Sequence, residues 1–323
     1  MQTHHWQNQL NQYGAQRQAV FFLIDFEAKQ AEIYLPDELP NENLQIEFPK
    51  ITLTEEQNAK SHHVSVTSTP LPRAEFDTAF DYVKQNLLNG NSYLTNLTFS
   101  TPISIEASLK DIFLAAKAKY KILHKNWVCF SPESFVQIAE NTIHTFPMKG
   151  TISAEKEGAL EELMQDAKET AEHNTIVDLL RNDLSIVAKN VRIARFRYAE
   201  KLNIRGRNLW QTSTHIMGDL PEDWHEHLGD ILAALLPAGS ISGAPKKKTC
   251  EIIRHAEEHD RGFYTGIAGY FDGTTLDSCV MIRFIEEDTI GNKVYKSGGG
   301  ITAMSYADAE YQEIQDKIYV PIL

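Results

Sequence analysis

TGIAGYFDGTTLDSCVMIRFIE, residues 265–286, is two apolar runs joined by a turn signal. Asp272-Gly273 supplies the backbone freedom of a tight hairpin, and β-branched and aromatic residues flank it on both sides. The stretch therefore predicts an antiparallel hairpin turning at Asp272-Gly273. Further strand signals lie on either side of it. AVFFLIDF (19–26) is apolar throughout but for one acid and reads as a buried strand, with AEIYL (31–35) as its partner. SYLTNLTFSTPI (92–103) alternates as a strand does, and NWVCFS (126–131) and NKVYKSGGG (292–300) are further strands. RIARFRYAEKLNIRGRNLWQTSTHIM (192–217) reads as two strands, and 36–61 as a loop with a weak strand at QIEFPKITL.

Helical periodicity lies between these strands. AEFDTAFDYVKQNLLN (74–89) places apolar residues at 76, 80, 83 and 87, with Gly90 as a C-terminal cap. Residues 109–123 predict another helix, and 157–183 is helix-rich. A helix opens at Pro245 in APKKKTCEIIRHAEEH, and SYADAEYQEIQDKI (305–318) is the last. Hairpins and helices mix without strict βαβ alternation, so the fold class is α+β with antiparallel sheets.

Composition bounds the function. The chain has 323 residues, a formal net charge of −13 and three cysteines, Cys129, Cys250 and Cys279, with no CxxC pair. The acidic balance argues against general nucleic-acid binding, which depends on neutralising phosphates. No apolar run approaches the roughly 20 residues of a membrane span. The first residues, MQTHHWQNQLNQYG, lack the basic and apolar regions of a secretory signal. A reduced, cytoplasmic protein with no membrane contact is the expectation.

Five places carry chemistry. Lys149 sits in PMKGT. A solvated lysine has a pKa of roughly 10.4 and is a poor nucleophile, but burial beside positive charge would free its amine. A plain loop lysine would look the same. Glu133, in SPESF, lies near Trp127, Val128, Phe130 and Phe135, which could keep it protonated as a general acid. Glu169 and Glu172 share one helical face, and Glu310, Glu313 and Lys317 share another. Two such faces would together suit Mg²⁺, which takes carboxylate oxygens; separate solvated faces are the alternative. LLPAGSISGAPKKK (235–248) and KSGGGIT (296–302) offer backbone amides to an anion, and Arg283 stands in an apolar strand where an unpaired charge would be costly. No Walker loop and no GxGxxG occurs.

The order of these blocks resembles the chorismate-utilising enzymes, a family that includes anthranilate, aminodeoxychorismate, isochorismate and salicylate synthases. The resemblance runs from about residue 75 to 318 through SPE, PMKGT, AEH, VDLLRND, GSISGAPK, GFYTGIAGY, IRF, GGGI and AEYQE. It implies two antiparallel β-sheets packed face to face with helices outside. It also implies a reduced N-terminal segment (1–70) on a chorismate-binding catalytic domain (71–323). Lysine at 149, where anthranilate synthases have alanine, marks the aminodeoxychorismate synthase component I subgroup. The implied reaction makes 4-amino-4-deoxychorismate, the precursor of the p-aminobenzoate ring of folate. In it Lys149 attacks C2 of chorismate while Glu133 protonates the departing C4 hydroxyl, and ammonia then adds at C4. Glu172 and Glu313 would bind Mg²⁺, with Glu169 and Glu310 close by. Gly150, Thr151, Ser240, Tyr264, Arg283, Gly299, Gly300 and Lys317 would line the substrate site. Ammonia would come from a separate glutamine amidotransferase subunit, and a separate aminodeoxychorismate lyase would take the product.

Three departures from the family pattern bear on this. Leu94 replaces the base lysine of isochorismate-type members and the glutamine of amino-transferring ones, which argues against water addition at C2. Gln211 stands where many members have histidine. The tryptophan-holding N-terminal portion is much reduced, so feedback by tryptophan is not expected. An anthranilate synthase whose alanine has become Lys149, and a chorismate-binding protein without turnover, are the competing expectations.

Overall fold

Strand β1 (Val20–Ile24) is apolar at every position because both its faces are covered. Phe21 and Leu23 enter a layer between two sheets, while Val20, Phe22 and Ile24 enter a layer between the first sheet and helices. The computed structural model describes residues 5–39, 44–54, 65–204 and 207–322. Helix α1 (His5–Ala15) precedes β1. After it come β2 (Ala31–Tyr34), β3 (Leu44–Phe48), β4 (Ile51–Leu53), β5 (Thr67–Ser68), α2 (Arg73–Leu88) and β6 (Leu94–Ser104). Then follow α3 (Leu109–Ala115), β7 (Tyr120–His124), β8 (Trp127–Ser131), β9 (Ser134–Ala139), β10 (Thr142–Thr145) and β11 (Met148–Ser153). Helices α4 (Ala159–Gln165) and α5 (Ala167–Val187) lead to β12 (Lys189–Ile204), β13 (Arg207–Asp219), α6 (Leu228–Leu235) and β14 (Gly243–Ala244). The last elements are α7 (Lys246–Ala256), β15 (Ile267–Phe271), β16 (Leu276–Val280), β17 (Phe284–Glu287), β18 (Lys293–Thr302) and α8 (Ala307–Asp316).

The first sheet runs β2-β1-β15-β16-β9-β10-β13, with β11 and β12 also paired to β13. The second runs β4-β3-β7-β8-β17-β18-β6-β14, with β5 on β6. The 265–286 stretch feeds both. β15 and β16 form the antiparallel hairpin, and Asp272 Oδ1 accepts the backbone N–H groups of Thr274 and Thr275 at its turn. Gly273 there has φ +92. Beyond β16 the chain crosses to the second sheet, with Arg283 in the left-handed region at φ +57, and β17 pairs with β8 and β18.

Tyr34, Phe48, Tyr120, Trp127 and Phe284 fill the layer between the sheets together with Phe21 and Leu23. Helices α1, α6 and α7 cover the outer face of the first sheet, and α2, α3, α7 and α8 cover that of the second. The α+β class with two facing antiparallel sheets is therefore as expected. The strands of the first 70 residues are divided, β1 and β2 in one sheet and β3 to β5 in the other. Among the described residues no helix is long and apolar enough to cross a membrane.

One expectation needs correction. The helix expected over 109–123 ends at Ala115, and Tyr120–His124 is a strand between β3 and β8, buried at all five positions. Tertiary pairing there overrides the helical spacing. The strand expected over 292–300 is β18, and its glycines Gly298, Gly299 and Gly300 pair with Thr98, Leu97 and Asn96 of β6. Helix α1 was not signalled. It buries only Trp6, Leu10 and Gly14, too narrow a stripe for a periodicity search. Residues 40–43 and 55–61 of the expected loop lie outside the described residues.

Candidate active site

Lys149 lies on an irregularity in β11. The pairing with β13 shifts between Met148 and Thr151, so an extra residue is accommodated and the strand is re-aimed. Gly150 takes φ +83 at this point, and a Cβ there would lie 2.9 Å from Glu169 Oε2 and 3.2 Å from Leu163 Cδ1. The bend thus needs glycine for its backbone angle and for its closeness to α5. Thr212 donates to the Lys149 carbonyl, and Thr151 is exposed on the far side of the irregularity, opposite Gln211.

From this position the Lys149 ammonium reaches Glu172 Oε2 at 2.9 Å. Burial presses it toward neutrality, but Glu172, Glu313 and Glu169 outweigh burial and hold its pKa above the ordinary lysine value. The low pKa expected of Lys149 is therefore not that of the protein without metal, because carboxylates rather than cations surround the amine. The depressed lysine is Lys317. Burial lowers it, Glu313 at 2.7 Å opposes, and Arg283 and Lys149 add to the lowering. Its Nζ also donates to the Gly298 carbonyl at 2.8 Å.

The two acidic faces do converge. Glu310 is buried, and burial, Glu313 and Glu172 raise its pKa, while Ser305 and Lys149 oppose them. Gly299 forms the floor: a Cβ there would lie 3.5 Å from Glu310 Oε2, 3.7 Å from Lys317 Nζ and 3.8 Å from Glu313 Oε1. The donor chemistry, carboxylate oxygen from Glu169, Glu172, Glu310 and Glu313, fits a hard cation such as Mg²⁺. Among the described residues no three acidic, His or Cys side chains are already drawn into a ligating array. Glu172 and Glu313 each hold an ammonium instead.

Glu133 stands in the turn between β8 and β9. Burial raises its pKa, and the Ser240 hydroxyl, Arg283 and Lys317 pull it back only in part. Ser240 Oγ donates to Glu133 Oε1 at 2.6 Å from the 3-10 turn at Gly239–Ile241. Arg283 places its guanidinium over the Tyr319 ring at 5.4 Å. Its Nε is buried without a hydrogen-bond partner among the described residues, a donor left for an anion. Tyr264 is buried, and burial raises its pKa well above the ordinary tyrosine value. Gly300 faces Leu94, whose Cδ1 would be 3.1 Å from a Cβ there. Leu94 itself packs against the cluster of Ile176, Val177, Leu179 and Leu180 on α5, so the departure from the family pattern is an apolar contact.

Two further pairs carry no role that their motifs signal. His173 is wholly buried with Nε2 2.6 Å from Thr214 Oγ1; burial and then Arg197 lower its pKa to about 4. Asp183, in VDLLRND, meets Lys246, in GSISGAPK, at 3.0 Å. Gly239 lies against that pair, since a Cβ on it would be 2.6 Å from Asp183 Oδ2. The pair thus seats the turn that carries Ser240. The two motifs are legible as signals, but their contact is not.

Residues 3–322 match the family model of the chorismate binding enzymes. An uncharacterized PabA-like protein of Pasteurella multocida is 46% identical over 336 residues, covering 100% of both chains. Aminodeoxychorismate synthase component 1 of Bacillus subtilis is 30% identical over 289 residues, covering 84% of this chain and 59% of that one. Among solved structures, anthranilate synthase component I from Streptococcus pneumoniae superposes with a TM-score of 0.65 at 26% identity, covering 79% of this chain and 58% of that one.

Proposed function

The chain belongs to the chorismate binding enzymes, and from that premise we propose that it is an aminodeoxychorismate synthase component I, converting chorismate and ammonia to 4-amino-4-deoxychorismate. The observation that carries this reading is Lys149: its amine lies 2.9 Å from Glu172, between two acidic helix faces, in the site that also holds Glu133. Chorismate is a dicarboxylate, and Arg283, Lys317 and the backbone of β18 near Gly299 and Gly300 are suited to one carboxylate. Mg²⁺, held by Glu172 and Glu313 with Glu169 and Glu310 nearby, would supply a Lewis-acid contact to the other and offset the charge that keeps Lys149 protonated.

In the first half-reaction the neutral Lys149 amine forms a bond to C2. The ring double bonds shift, the C4–O bond breaks, and Glu133 gives its proton to the departing hydroxyl, which leaves as water. Burial, which raises the pKa of Glu133, favours the protonated form that this step needs. The second half-reaction runs in reverse sense. Ammonia bonds to C4, the C2–N bond to Lys149 breaks, and the new ammonium returns a proton to Glu133. One displacement is thereby split into two through a covalent intermediate. A separate glutamine amidotransferase would supply the ammonia, and a separate lyase would convert the product toward p-aminobenzoate and folate.

The anthranilate reading differs in product. Incubation with chorismate, Mg²⁺ and ammonium, followed by chromatographic identification, decides between them. Aminodeoxychorismate that stays non-aromatic until a lyase is added is expected. Fluorescent anthranilate would overturn the proposal, and the absence of any product would leave a binding protein.

A further inference from the structure

Behind Glu133 is a cavity of about 20 Å³, enough for one water-sized molecule, which needs on the order of 10–15 Å³. Its polar lining residues are Glu133, Ser134, Thr145, Asp183 and Ser240, and the remaining walls are apolar. Glu133 and Ser240 belong at once to this cavity and to the site, joined by the 2.6 Å hydrogen bond. We propose that this cavity is the berth of the attacking ammonia.

The inference rests on the aminodeoxychorismate reading and adds to it where the nucleophile waits. The proton balance sets the location. Glu133 loses its proton to the hydroxyl leaving C4, and the carboxylate must recover it from the nitrogen that bonds to C4. The incoming nitrogen therefore has to arrive within hydrogen-bond reach of Glu133. A compartment with room for a single heavy atom adjoins that carboxyl. Its apolar walls penalise an ammonium ion more than neutral ammonia, and neutral ammonia is the form with a lone pair to give. The Asp183 carboxylate is paired with Lys246 at 3.0 Å, so it can accept a hydrogen bond from ammonia without standing as a lone buried charge. No oxidant or other reactant is needed.

Size is the testable property. The wild-type protein should use ammonium and refuse methylamine. Leu180→Ala, which enlarges the cavity, should accept methylamine and give a product one CH₂ heavier; Val136→Ala, at another lining residue, is a second variant with the same expectation should the first not fold. Ala238→Leu fills the cavity and should raise the apparent KM for ammonium about tenfold or more, which corresponds to about 1.4 kcal/mol of lost binding. The Lys149 adduct, which forms before ammonia enters, should still be seen in that variant when ammonia is withheld. Normal adduct formation, together with an unchanged ammonium KM in Ala238→Leu and no methylamine product from the enlarged variants, would overturn the berth and leave the reaction standing. Failure of the wild-type protein to form either adduct or aminodeoxychorismate would overturn the reading and the berth together.

Discussion

The two halves of the site are built alike and behave oppositely. On the α5 side, Lys149 leaves an irregular strand and meets Glu172 at 2.9 Å; on the α8 side, Lys317 leaves a helix end and meets Glu313 at 2.7 Å. Each is a partly covered lysine paired with one glutamate. Yet the acidic neighbours Glu313 and Glu169 help hold Lys149 above the ordinary lysine value, while burial beside Arg283 and Lys149 brings Lys317 below it. Sequence type and partner do not decide the charge state of a lysine; the second ring of charges does. For catalysis the lesson is that Lys149 rests as an ammonium clamped by its carboxylates. On the proposed reaction it would act as a nucleophile once those carboxylates are given another cation to hold.

The contrast predicts unequal effects. Lys149→Ala should lower aminodeoxychorismate formation by about a thousandfold or more, as loss of a nucleophile does, while chorismate affinity by calorimetry changes little. Full synthesis by that variant would reduce Lys149 to a contact residue. Glu133→Gln removes only the proton donor, and the first half-reaction should slow by about 10²–10⁴-fold. Its measure is the rate at which the adduct appears with ammonia withheld; an unchanged rate would mean another acid serves.

Glu172→Gln and Glu313→Gln should each weaken Mg²⁺-dependent chorismate binding about 10–100-fold, seen as calorimetric titrations that lose their metal dependence. Equal affinity with and without Mg²⁺ in the wild-type protein would remove the metal assignment. The smallest effect is on pH. Glu133 has its folded pKa raised, so its acid form persists to higher pH than a free carboxylate. By the same sign, any stability it contributes is complete below the ordinary carboxylate range and lost as pH rises through the raised value. Ser240→Ala takes away a hydrogen bond that favours the carboxylate, so the alkaline fall in adduct formation should move to still higher pH. A move to lower pH would contradict the assigned direction.

Much of this was legible in the sequence for identifiable reasons. β1 reads as a strand because burial on both faces makes it apolar throughout, and the β15–β16 hairpin reads from Asp272-Gly273. β7 was mistaken for helix because its neighbours β3 and β8, not its own spacing, make it a strand. Motif order singles out the candidate site residues, but not their contacts. Glu133 and Ser240 are 107 positions apart, and only the fold brings them to 2.6 Å. The charge state of Lys149 is not legible in its own segment, because it depends on carboxylates from two helices meeting around it.

The central claim is that Lys149 is the nucleophile, and intact-protein mass spectrometry tests it most directly. The protein is incubated with chorismate and Mg²⁺ while ammonia is withheld, so the second displacement cannot occur. The predicted result is a species heavier by chorismate less one water, mapped by peptide analysis to Lys149 and discharged when ammonium is added. An adduct on another lysine, or aminodeoxychorismate formed on adding ammonium with no adduct ever detectable in its absence, would contradict the account.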